Sequence, residues 1–146
     1  MRPTSKLGAA LFAAALLIAP AASFAASPLG DWLVASRDGK VRIAPCGEAL
    51  CGVLVWARKT IDPKTGRPQL DIRNPDPALR GRPILGMRLF WGMKPDGPNH
   101  WSDGRIYDAR SGRTYRSKLA LLPNGDLKVE GCLGPFCGGQ TWTPVG

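Results

Sequence analysis

The chain has 146 residues, 44% of them apolar, with a formal charge of +9, four cysteines and one histidine. That length suits one small domain. A single histidine, with no His, Asp and Glu cluster at metal-ligand spacing, argues against a metal centre, and no cofactor is expected.

The N-terminus reads as a secretory signal. Arg2 and Lys6 form a basic start, Leu7 to Ala19 is apolar, Pro20 breaks the run, and Ser23-Phe24-Ala25 offers small residues for cleavage. The run falls short of the roughly 20 residues of a membrane span. Residues 1–25 are therefore expected to be a signal peptide and residues 26–146 the single domain, with no transmembrane segment in the mature form; an uncleaved anchor is the alternative. No cysteine follows the run to take a lipid anchor. Without Arg2 and Lys6 the charge falls to +7, 18 basic against 11 acidic residues. In a periplasmic or secreted protein that charge points to anionic envelope material or to plain solubility rather than to nucleic acid. Along the chain the basic residues are scattered among acids.

Gly30-Asp31-Trp32 opens the domain and is similar to the Gly-x-Trp with which lipocalins plug one end of their barrel. The last segment, Gln140 to Val145, offers no arginine to cover that tryptophan, and an ordinary core tryptophan is the alternative. Asp38-Gly39 makes a tight turn, after which Val41, Ile43 and Pro45 alternate with Arg42 and Ala44. Gly52 to Ala57 is apolar on both faces and is expected to be a strand covered on both sides.

Residues 58–83 hold five prolines, many charges and little periodicity. Asp76 as N-cap and Pro77 at the first helical position predict one short turn over Pro77 to Arg80, anchored by Leu79. A loop this long is usually functional or disordered; an ordered lid or plug and a structural crossing of a barrel end both fit. Ile84 to Trp91 reads as the next strand, and Gly92 to Asn99 as a turn.

The last part of the chain specifies its own register. In Thr114 to Leu122 the residues Tyr115, Ser117, Leu119 and Leu121 share one face, and Leu127 and Val129 alternate with Lys128 and Glu130. A two-residue turn at Asn124-Gly125 would set Leu121 against Lys128 and mix the faces. A three-residue loop, Pro123 to Gly125, instead pairs Leu121 with Leu127, Leu119 with Val129 and Lys118 with Glu130. A four-residue loop, Ala109 to Gly112, pairs Asp108 with Arg113, Ile106 with Tyr115 and Gly104 with Ser117. Gly104, Ser117 and Gly131 are small, so the middle of this inner face is either hollow or filled from elsewhere. With Gln140 to Val145 the count is about eight strands, enough to close an antiparallel barrel without exposed edges.

Cys46, Cys51, Cys132 and Cys137 form two Cys-x4-Cys pairs. Export and an even count predict two disulfides, in one of three connectivities. Cys46–Cys51 and Cys132–Cys137 are favoured, since each brackets four residues between strand-like segments; the crossed pairings would staple the first strands to the last.

Little here suggests catalysis. His100 lies beside a turn without a Gly-x-Ser-x-Gly elbow, most carboxylates are turn residues, and Asp108 with Arg113 reads as a hairpin-closing ion pair. The many aromatic residues, among them Trp91, Trp101, Tyr107 and Trp142, read mostly as core and barrel plugs.

Five segments together carry a family resemblance: PLGDWL, PCGEALCGVLVW, NPDPALRGRPILG, GRIYDARSGRTYRSKLAL and LKVEGCLGPFCGGQTW. The sequence resembles, over nearly all of residues 28–143, the small exported bacterial proteins catalogued as domain of unknown function family 2147. The resemblance implies an all-β, lipocalin-like barrel and no established activity. Members often carry a basic residue after the final Trp-Thr, where this chain has Pro144.

The expected function is binding of a small, partly apolar or amphipathic ligand inside the barrel. Tyr115, Ser117, Leu119 and Val129 are the candidate contacts, with Asp108, Arg113 and Arg82 at the mouth. The alternative is a scaffold that docks on an anionic polymer or protein partner, with Arg116 and Lys118 on the wet face. Oligonucleotide binding is disfavoured, since the sheet lacks an exposed aromatic platform.

Overall fold

The computed structural model describes residues 27–146, so the expected signal peptide lies outside the described residues. The strands are β1 (Gly30–Leu33), β2 (Gly39–Cys46), β3 (Ala49–Ala57), β4 (Arg88–Pro95), β5 (His100–Asp108), β6 (Arg113–Leu121), β7 (Leu127–Leu133) and β8 (Phe136–Pro144). Each pairs with the next, β1 returns to β8, and the sheet closes as an up-and-down barrel in sequence order. Closure is sealed by Trp32 opposite Pro144, Leu33 opposite Thr143, and the Val145 N–H donating to the Asp31 carbonyl. A closed sheet leaves no edge for a foreign strand.

The registers of β5, β6 and β7 are those that the side-chain faces require. Asp108 opposes Arg113, Ile106 opposes Tyr115, Lys118 opposes Glu130, and Leu121 opposes Leu127. The Leu122 N–H donates to the Asp126 carbonyl, leaving Pro123 to Gly125 as the three-residue loop, with Gly125 at φ +90°. Both disulfides pair as favoured, Cys46–Cys51 and Cys132–Cys137. The strands run further than expected: only Gly47-Glu48 and Gly134-Pro135 turn between the cysteines of each pair. The short turn is present at Pro77–Leu79, where the Asp76 side chain accepts from the Ala78 N–H.

Two expectations need correction. The strand placed at Ile84 to Trp91 begins only at Arg88 and runs through Gly92 to Pro95. Ile84 belongs to the loop because its N–H donates to the Gln69 carbonyl, and Gly86, at φ +87°, turns the chain so that its N–H reaches the Leu54 carbonyl. The strand at Gly52 to Ala57 is half-buried rather than covered on both sides: Trp56 is 39% exposed, with the Lys40 ammonium 5.4 Å from its ring centre.

In an up-and-down barrel successive loops alternate between the two ends. Segments 34–38, 58–87, 109–112 and 134–135 meet at one end, and 47–48, 96–99 and 122–126 at the other. The second end is solid, filled by Trp32, Ile43, Phe90, Met93, Leu119 and Leu127. Trp32 donates its indole N–H to the Pro28 carbonyl at 2.8 Å.

Candidate functional site

The glycines of the inner wall decide where the barrel is hollow. At Gly52 an added Cβ would lie 2.2 Å from the Phe90 ring, and at Gly104 2.2 Å from the Met93 sulfur. Each glycine thus accepts a large neighbour, and the closed half is packed. In the other half Gly131 and Gly138 are cross-strand partners. A Cβ at Gly138 would meet nothing within 4 Å. Both glycines border a cavity of about 1370 Å³ that runs from the open half of the barrel out between the loops of the first end. Its volume exceeds the roughly 300–1,000 Å³ of an ordinary small-molecule site.

The cavity has an apolar depth and a charged rim. Leu54, Met87, Ile106 and Val129 line it, and Trp142, tilted against Phe90 at 6.4 Å, forms the floor. Tyr115 reaches it from β6 as a polar handle, while Arg58, Arg67, Arg73, Arg110, Asp38 and Asp108 stand at the entrance.

Among the residues expected from sequence, Tyr115, Val129 and Asp108 therefore lie together on the cavity. Ser117 is buried below it, and its hydroxyl donates to the Glu130 carbonyl at 2.6 Å. Leu119 belongs to the packed half. Arg113 is exposed at the start of β6, outside the lining. Asp108 does not close the hairpin with Arg113. Its carboxylate accepts from the Arg110 N–H and the Ser111 hydroxyl, both at 3.0 Å, and lies 3.5 Å from the Arg110 guanidinium. Donors inside the turn are nearer than one across the strands.

Arg82 serves a cluster that reading the sequence missed. Asp71, fully buried, accepts from the Tyr107 hydroxyl at 2.6 Å, the Asn74 amide at 2.8 Å and the Arg82 Nε at 2.9 Å. Tyr107 follows the inward Ile106 and lies on the outer side of β5, so the cluster clamps the long loop onto the barrel wall. Burial, the largest influence on Asp71, opposes its ionisation, but the three hydrogen bonds and the Arg82 charge outweigh it and hold the carboxyl below its usual 3.8. Burial and the Asp71 carboxylate push the Tyr107 hydroxyl up to about 12. The same loop presses on the β5–β6 tip: a Cβ at Gly112 would lie 2.0 Å from the Arg73 carbonyl oxygen. The Arg73 guanidinium also donates to the Arg110 carbonyl. The loop is thus an ordered border of the mouth.

The barrel also sorts charge that looks scattered along the sequence. The loops of the open end carry nine basic residues and four acidic ones; those of the closed end carry Glu48, Asp96 and Asp126 and no basic residue. His100 lies at the closed end, its Nδ1 2.7 Å from the Pro98 carbonyl oxygen, away from the cavity. Among the described residues, no group of three or more His, Cys, Asp or Glu could hold a metal ion, and no helix is long and apolar enough to cross a membrane.

Comparison with known proteins agrees with this architecture. A family model described as "Uncharacterized protein conserved in bacteria (DUF2147)" matches residues 30–144. A solved structure described as "Protein HP1028 from the human pathogen Helicobacter pylori belongs to the lipocalin family" superposes with a TM-score of 0.69 at 20% identity, over 82% of this chain and 84% of that one. At that identity the likeness is one of fold, a lipocalin-like barrel. No curated protein sequence matches.

Proposed function

The chain belongs to this family of uncharacterised bacterial proteins, and on that premise we propose that it is an exported binding protein. Its ligand is small, at least partly apolar, and held in the open half of the barrel. The observation that carries the reading is the cavity of about 1370 Å³, apolar in depth and polar at its rim, bordered by glycines inside the barrel where the opposite half is packed. Export to the periplasm or beyond is supported by two disulfides, which persist in oxidising compartments. Tyr115 and Val129 meet the ligand inside, and Asp108 stands with the arginines at the entrance. The work proposed is binding rather than catalysis.

The alternative of docking through the barrel wall has weaker support. Lys118 lies 3.7 Å from Glu130, and the Arg116 guanidinium donates to the Gly134 carbonyl at 2.6 Å, so both groups are already engaged by their neighbours. Native mass spectrometry of protein released gently from its own bacterium tests the ligand reading. The expected spectrum shows a discrete small-molecule adduct that denaturation removes; bare protein in repeated preparations would count decisively against it.

A further inference from the structure

The open end carries apolar side chains that nothing covers. Leu133 and Phe136 are cross-strand partners at the β7–β8 tip and are 67% and 80% exposed. They continue the inward series Leu127, Val129, Gly131 and Trp142, Gln140, Gly138, which places them at the rim of the mouth. Ile72, 69% exposed, stands on the long loop at the same end. The tip is rigid. The Cys132–Cys137 disulfide crosses it, and Gly134, at φ +58°, precedes Pro135 in the two-residue turn that favours glycine first. Little conformational freedom remains to be lost when the tip is covered. Leu133 and Phe136 thus form a fixed apolar projection rather than two singly scattered residues.

The surrounding charge identifies the contact. In the loops of the open end Asp71 and Arg82 neutralise each other in the clamp, which leaves eight basic residues against three acids. The closed end is purely acidic in its loops. Such a separation turns the molecule mouth-first towards a negative surface. The apolar tips stand on separate elements around an opening rather than in one continuous patch. A fluid lipid surface can receive scattered tips, whereas a folded partner needs a matching contiguous core.

We propose that the open end docks on an anionic lipid bilayer. Phe136, Leu133 and Ile72 enter the head-group layer, the loop arginines and lysines meet lipid phosphates, and the cavity mouth faces the membrane. Vesicle binding is measured without cavity ligand, and cavity binding without vesicles, so this docking and the ligand reading can fail separately.

Co-sedimentation with vesicles of phosphatidylcholine, alone or mixed with phosphatidylglycerol, tests the docking. The proteins compared are the wild type, the double variant Leu133→Ser/Phe136→Ser, and Asp126→Asn at the closed end, all sharing one N-terminus fixed by mass. Circular dichroism confirms that each is folded. The wild type should bind the mixed vesicles about tenfold or more tighter than neutral ones, and less tightly at high salt. The double variant should lose about tenfold, and Asp126→Asn should match the wild type. The proposal is overturned if the wild type ignores the mixed vesicles or binds both kinds alike, or if the folded double variant binds as the wild type does. A wild-type dimer that ignores vesicles and that the double variant dissolves would assign the tip to a second copy of the chain, and would also overturn it.

Discussion

Tyr107 and Asp71 show how one hydrogen bond can hold a long loop. The acceptor is a buried carboxylate, so the bond is charge-assisted, and Tyr107→Phe should lower unfolding free energy by about 2 kcal/mol. The pH dependence follows from the two shifts. Asp71 has its carboxyl lowered on folding, so its contribution is present above the unfolded value of 3.8 and is lost as pH falls through the lower folded value. Tyr107 has its hydroxyl raised, so its contribution is complete below its unfolded value of 10 and is lost as pH rises towards about 12. The stability difference between wild type and Tyr107→Phe should therefore be flat between those limits and shrink beyond both. Urea unfolding across pH measures it, and a difference that persists unchanged into strong acid would refute the clamp. Nothing in the sequence announces this pair. Asp71 sits in a charged, proline-rich stretch, 36 residues from a tyrosine that reads as one more aromatic plug.

Among the elements, β5 to β7 were legible because alternation and turn chemistry restrict each other. Only one loop length keeps the leucines together and Lys118 beside Glu130. The start of β4 was not legible. Ile84 to Met87 is as apolar as the strand that follows, and only the pairing of Gly86 and Met87 with Leu54 shows where the loop ends. The contact between β3 and β4 carries a prediction of its own. Gly52→Ala would drive a methyl group into the fully buried Phe90 ring and should cost about 2–3 kcal/mol. Phe90→Leu makes room, so the double variant should lose clearly less than the two single losses combined. Denaturant melts of the four proteins check this; strictly additive losses would mean that the two residues do not compete for one space.

At the scale of the whole molecule, the barrel is half solid and half hollow, and the charges of its loops are divided between the same two ends. The charge division is invisible along the sequence because consecutive loops alternate ends; it emerges once the loops are sorted by the topology. The hollow half was only half legible. Gly104 and Gly131 looked alike in the sequence, yet Met93 occupies the space beside the first, while the second faces the cavity. Gly138 is the position where the central claim can be tested with least disturbance. Its backbone is not in the left-handed region, and a side chain there would enter open space. Titration with the neutral fluorescent probe N-phenyl-1-naphthylamine should show saturable binding of one molecule per wild-type barrel. Gly138→Leu should weaken it about tenfold or more while leaving the melting temperature within about 2 °C. A wild type that binds no probe saturably, or a folded Gly138→Leu variant that binds it as tightly as the wild type, would contradict a ligand site inside this barrel.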